Sequence, residues 1–226
     1  MSHPIKLVTE DGKSISAYVA GAPKSTAALV IIQEIFGVNA HIRRVADSYA
    51  EDGFFVVAPA LFDRIQAGTE LDYTPAGIEL ARGLATRLEP ELVLKDIAAA
   101  IAYARTQTDS GKVGLVGYCL GGSYAWLSAA RLPIDAAVGY YGGKIVQFLD
   151  QEPRAPLMLH FGQEDRGIPM SDVEKIERAY PDVPIFRYHA GHAFNRDGGQ
   201  NYSSAAAELA RARSLKFLRD NLVPAT

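Results

Sequence analysis

The sequence predicts an α/β protein with a mostly parallel central sheet and helices on both faces. Three observations lead there. Short apolar runs alternate with segments of helical period along nearly the whole chain. Several runs, such as 27–33 (AALVIIQ), are apolar on both faces, as strands buried between helix layers are. The chain has 226 residues, 48% of them apolar and 22% charged. A domain of that size buries roughly 70–75% of the surface its unfolded chain exposes. One domain spanning 1–226 is therefore expected.

The elements follow in order. Strands are expected at 5–9 and 14–20, joined by Asp11-Gly12, a good hairpin turn. A buried strand at 27–33 precedes a helix at 41–51, which ends near Gly53. Residues 54–58 form the next strand. Segment 69–87 is ambiguous, with weak periodicity and Pro75 and Gly77 inside it. Pro90 opens a helix running to about Thr106, with Val93, Ile97, Ile101 and Ala104 on one face. Strand 113–117, helix 122–131 and strands 136–141 and 155–161 come next. Helix 172–180, strand 185–189 and helix 203–222 close the chain. In such sheets the active site lies beyond the carboxyl ends of the strands.

The net charge of −3 argues against bulk binding to nucleic acid or to an anionic membrane. The longest apolar stretches, 27–32 and 54–62, are far short of a membrane span. The N-terminus carries no basic-then-apolar signal pattern, and one cysteine forms no internal disulfide. A cytoplasmic monomer is expected.

That cysteine sits in "GLVGYCLGGS". Gly117-Tyr118-Cys119-Leu120-Gly121 has the form Gly-x-nucleophile-x-Gly between a strand and a helix, a nucleophile elbow with Cys in the usual place of Ser. The helix that follows would turn its free N–H groups toward the sulfur, an arrangement that favours thiolate. The competing reading is a small buried core residue.

A nucleophile needs a base, and the chain offers five histidines. His3 and His41 are expected on the surface. His160 and His189 fall inside predicted strands, as core histidines do. His192, in Gly191-His192-Ala193-Phe194, lies just past the strand 185–189, where catalytic loops sit. The orienting acid is expected to be Asp165, after the strand 155–161, with Glu164 and Asp172 as rivals. The order Cys119, Asp165, His192 is nucleophile–acid–histidine, as in α/β-hydrolases. No recognisable metal-ligand spacing links Glu34, His160 and His192, and neither a metal nor a cofactor is expected.

The segments "GKVGLVGYCLGG", "QEIFGVN", "VGYYG" and "GHAFNR" resemble the dienelactone hydrolase (carboxymethylenebutenolidase) family of the α/β-hydrolase superfamily. The likeness runs from about Ile5 to Leu222. It implies a Cys119–His192–Asp165 triad and an oxyanion hole from the N–H groups of Leu120 and Ile35. It implies that Glu34 takes the proton of the nucleophile when substrate arrives; read without it, Glu34 is as well a loop carboxylate capping the helix after Gly37. It implies that Arg196 pairs with that glutamate or with a substrate carboxylate, against the plainer reading of a surface arginine. The family's second substrate-binding arginine has only an insecure counterpart, Arg82, because "ELDYTPAGIELARGLATRL" departs from the family pattern.

The implied activity is cleavage of a small lactone or enol ester, anionic in character, to a maleylacetate-like product through a thioester. A broader carboxylesterase or thioesterase remains open. So does a small-molecule receptor built on the same fold, although a receptor does not require nucleophile, acid and histidine together.

Overall fold

The computed structural model describes residues 2–223. These fall into two compact units that divide between Gly114 and Leu115.

In the first unit, β1 (His3–Val8) and β2 (Ser14–Ala20) form an antiparallel hairpin with His3 opposite Val19 and Val8 opposite Ser14. Its turn is closed by the Gly12 amide on the Thr9 carbonyl, with Gly12 at φ 77°. Strand β3 (Ala28–Ile32) leads through α1 (Ala40–Glu51) to β4 (Phe55–Pro59), which pairs parallel with β3 and antiparallel with β2. Every residue of β3 and β4 is buried, as the two-sided apolar run requires. Helix α2 (Pro75–Ala85) follows, then α3 (Pro90–Arg105), and both α1 and α3 pack on β4.

The ambiguous segment resolves here. Pro75 does not break a helix but opens α2 at its first turn, where its missing N–H is no loss, and the Thr74 hydroxyl caps the Gly77 amide at 3.1 Å. His41 is not a surface residue. It is 4% exposed, on the same buried face of α1 as Ile42, Ala46 and Tyr49.

Strand β5 (Val113–Tyr118) carries the chain from the first unit into the second. The second unit continues with α4 (Leu120–Arg131), β6 (Ala136–Tyr140), a short 3-10 turn at Ile145–Phe148, β7 (Leu157–Gly162), α5 (Met170–Ala179), β8 (Ile185–Tyr188) and α6 (Ser204–Leu222). Strands β6, β7 and β8 are parallel neighbours, with Ala137 beside Leu157 and Leu159 beside Ile185. Their carboxyl ends therefore open on one side.

Helix α4 begins two residues earlier than its sequence suggests, with the two glycines inside its first turn. Gly122 is there for clearance: a methyl on it would overlap the Tyr140 carbonyl oxygen of β6. His189 falls outside β8 and is exposed rather than in the core, because alternation turns Tyr188 inward and the next residue outward. Among the described residues no helix is long and apolar enough to cross a membrane.

Candidate active site

Cys119 sits between β5 and α4 at φ 55° and ψ −110°, outside the regions that L-residues favour. Strain of this kind costs on the order of 1–3 kcal/mol and persists only where the surroundings enforce it. They do so here. The Cys119 amide donates to the Tyr140 carbonyl at 3.0 Å, and the Cys119 carbonyl accepts from Ser123 N–H at 3.3 Å. Gly117 lets the turn close, since a methyl there would overlap the Gly121 carbonyl oxygen. Leu120 opens α4, so its N–H belongs to the first turn and lacks an acceptor within the helix.

The loops after β7 and β8 bring the other two residues to the sulfur. Asp165 is 5% exposed between the exposed Glu164 and Arg166. Its Oδ1 accepts from Gly167 N–H at 2.8 Å, which orients the carboxylate. Its Oδ2 lies 2.6 Å from His192 Nδ1, and His192 Nε2 lies 3.2 Å from Cys119 Sγ. The rival acids go elsewhere: Glu164 is exposed, and Asp172 pairs with Lys175 on α5 at 2.8 Å.

The electrostatics of His192 follow from these contacts. Burial alone would lower its pKa. The hydrogen bonds to Asp165 and Cys119, and the negative charge on both, outweigh burial and push it up to about 10. That imidazole is thus favoured in its protonated form at neutral pH, with Nδ1 facing the Asp165 carboxylate and Nε2 facing the Cys119 sulfur.

His160 and Ser123 do not form a second relay. His160 is fully buried, with Nδ1 at 2.8 Å from the Tyr188 hydroxyl and Nε2 at 2.9 Å from Ser214 Oγ, so both ring nitrogens are engaged. Burial, and then the charge of Arg213, hold its pKa down at about 3. Ser123 Oγ accepts from Lys144 N–H at 3.0 Å, one turn into α4.

Glu34 and Ile35 belong to the first unit, just past the carboxyl end of β3. Glu34 is 2% exposed. It does not cap the following helix: Asn39 does, accepting from His41 and Ile42 N–H. Gln33 braces the turn, donating to the Glu34 carbonyl at 3.1 Å and accepting from Leu61 N–H at 3.1 Å. Arg196 is half-buried, four residues past His192, with its N–H on the Ala193 carbonyl. Arg82 is exposed in the last turn of α2.

Sequence reasoning missed Tyr141. Its φ is 40°, and its ring centroid stands 5.1 Å from that of His192, backed by Phe194 at 5.4 Å. The available signal was its place at the carboxyl end of β6. Among the described residues no group of three or more His, Cys, Asp or Glu side chains is arranged to hold a metal ion.

A dienelactone hydrolase family model matches residues 15–222. The chain is 38% identical over 227 residues to a carboxymethylenebutenolidase of Pseudomonas putida, with 96% of each covered. It is 32% identical over 226 residues to carboxymethylenebutenolidase 1 of Cupriavidus pinatubonensis, covering 96% of this chain and 97% of that one. Among solved structures, a Klebsiella pneumoniae chain assigned as a dienelactone hydrolase superposes with a TM-score of 0.81 at 26% identity, over 96% of this chain and 98% of the other.

Proposed function

The chain belongs to the dienelactone hydrolase family of α/β-hydrolases, and on that footing we propose that it cleaves a small anionic lactone or enol ester, of the dienelactone type, through a thioester on Cys119. The observation that carries the reading is the unbroken chain of contacts from Asp165 Oδ2 through His192 to Cys119 Sγ, 2.6 and 3.2 Å long.

The Cys119 thiolate attacks the lactone carbonyl carbon, forming a C–S bond and moving the carbonyl electron pair onto oxygen. The Leu120 N–H receives that oxyanion, and Ile35 N–H is assigned as the second donor on the family resemblance. One such donor is worth about 10²–10³ in rate. Collapse breaks the ring C–O bond, and the leaving enolate takes the proton from His192. Neutral His192 then removes a proton from water, and the hydroxide attacks the thioester. The C–S bond breaks, the acid is released, and thiolate and imidazolium are restored. Asp165 holds the imidazole in place through both halves.

On the same resemblance, Glu34 is assigned to take the proton from any Cys119 still in the thiol form as substrate enters. Arg196 is assigned to a substrate carboxylate, and Arg82 is the second arginine that the resemblance implies.

Turnover of a cis-dienelactone by single variants tests the reading. Cys119→Ala should lose several orders of magnitude in kcat, since nucleophile, base and acid act as a unit. Ser123→Ala should stay within about fivefold, because a lone neutral hydrogen bond contributes only about 1 kcal/mol. The reverse pattern would transfer the nucleophile to Ser123.

A further inference from the structure

His192 reaches the sulfur from a strained loop. Ala193 sits at φ 60°, in the left-handed region that a residue with a Cβ rarely adopts. The loop is anchored on both sides of the strain. Before it, the Ala190 amide bonds the Tyr188 carbonyl, and the Ala190 carbonyl accepts from Glu164 N–H at 3.0 Å. After it, Phe194 is fully buried and its carbonyl accepts from Ser203 N–H at 3.1 Å. The His192 carbonyl lies between these anchors, and a side chain grips it: Asn201 Nδ2 donates to it at 3.0 Å. Asn201 also packs closely on Gly191, where an added methyl would stand 3.0 Å from its Cγ.

We propose that Asn201 is a positioning residue for His192. By holding the His192 carbonyl it fixes the peptide plane shared with the strained Ala193. That sets where the imidazole stands between Asp165 and Cys119. The inference rests on the reading of those three residues as the working trio. The imidazole must keep 2.6 Å on one side and 3.2 Å on the other. If the plane is released, Ala193 can leave the left-handed region and draw the His192 backbone with it. A misplacement of about 1 Å costs roughly 100-fold.

The test uses the near-isosteric Asn201→Asp, which sets a carboxylate against the carbonyl, and Asn201→Ala, which removes the donor. Asn201 is exposed, so both variants should fold with an unchanged circular dichroism spectrum. Each should lose about 10- to 100-fold in kcat, with KM within about twofold. A second readout, alkylation by iodoacetamide, needs no substrate. The thiolate–imidazolium pair is what makes a cysteine reactive in mild acid. At pH 6, Cys119 in each variant should therefore alkylate at least about fivefold more slowly than in wild type. At pH 10, where thiolate no longer depends on the imidazolium, the rates should converge. A purely structural role would lower the melting temperature and leave this pH profile unmoved.

Wild-type kcat or a wild-type alkylation profile in Asn201→Asp would overturn the proposal. A different failure marks the underlying reading: wild-type Cys119 that alkylates at pH 6 no faster than in unfolded chain would show that the trio itself is not paired.

Discussion

Acid should unfold this protein partly through one histidine that the reaction does not use. His160 is enclosed on every side: the Tyr140 ring of β6 at 4.6 Å, Phe186 and Tyr188 of β8 each at 5.7 Å, and Ser214 of α6 on Nε2. The nearby charge is Arg213, whose guanidinium lies over Phe186 at 4.2 Å and donates to the Tyr188 hydroxyl at 3.1 Å. Burial first, and the Arg213 charge second, hold the His160 pKa at about 3, against an ordinary value of 6.5. A group whose folded pKa is depressed gives stability that is present above the unfolded pKa and lost as pH falls toward the folded one. Below pH 6.5 the unfolded chain binds a proton that the folded chain refuses. The loss approaches about 1.4 kcal/mol per pH unit, so it reaches about 2 kcal/mol at pH 5 and about 3 kcal/mol at pH 4.

Urea unfolding of wild type and His160→Gln at pH 7, 6, 5 and 4 isolates this contribution, because all other groups titrate in both proteins. The variant should be less stable at pH 7, since it disturbs a buried network. Between pH 7 and pH 5, however, it should lose about 2 kcal/mol less than wild type. Arg213→Gln, which removes only the lesser cause, should follow wild type down to pH 5 and depart from it only as pH approaches the folded His160 pKa. Parallel stability curves for wild type and His160→Gln would refute the reasoning.

Other outcomes follow from the site. Asp165→Asn keeps the shape but loses the charge that holds His192; kcat should fall on the order of 10³–10⁴-fold, measured with saturating substrate. Gly117→Ala forces a methyl into the Gly121 carbonyl and should cost roughly 1–3 kcal/mol in urea unfolding along with most of the activity, whereas Gly83→Ala, which meets open space on α2, should not. Arg196→Ala should weaken kcat/KM about 10- to 150-fold for an anionic lactone and far less for a neutral aryl ester, as befits a charge-assisted contact; equal losses would favour a general esterase.

Much of this was legible in the sequence, for identifiable reasons. The two-sided apolar runs of β3 and β4 leave no other placement than a buried sheet. The loops after β5, β7 and β8 follow strands, so chemistry-bearing residues there stand out from those inside elements. On this basis His192 stood apart from His160, but Glu164 shares the loop of Asp165, and only the fold shows which of the two carboxylates turns inward. What was not legible depends on tertiary packing. Pro75 reads as a breaker until its position at a helix start is known. His41 lies on a helix of polar composition, and only the packing of α1 shows which face is inward. Ala193 and Tyr141 carry no mark of their positive φ, since nothing in an Ala or Tyr announces strain. Asn201 lies nine residues beyond the histidine whose carbonyl it holds, and only a folded loop brings them together.

The central claim is that Cys119 becomes covalently acylated. Mixing the enzyme with excess cis-dienelactone, quenching in acid within milliseconds and weighing the intact protein tests this most directly. The account predicts a mass gain equal to one ring-opened substrate, located by digestion on the peptide containing Cys119 and released by hydroxylamine as a thioester is. It also predicts no such adduct in Cys119→Ala. An adduct on Ser123, or turnover by Cys119→Ala at the wild-type rate, would contradict it.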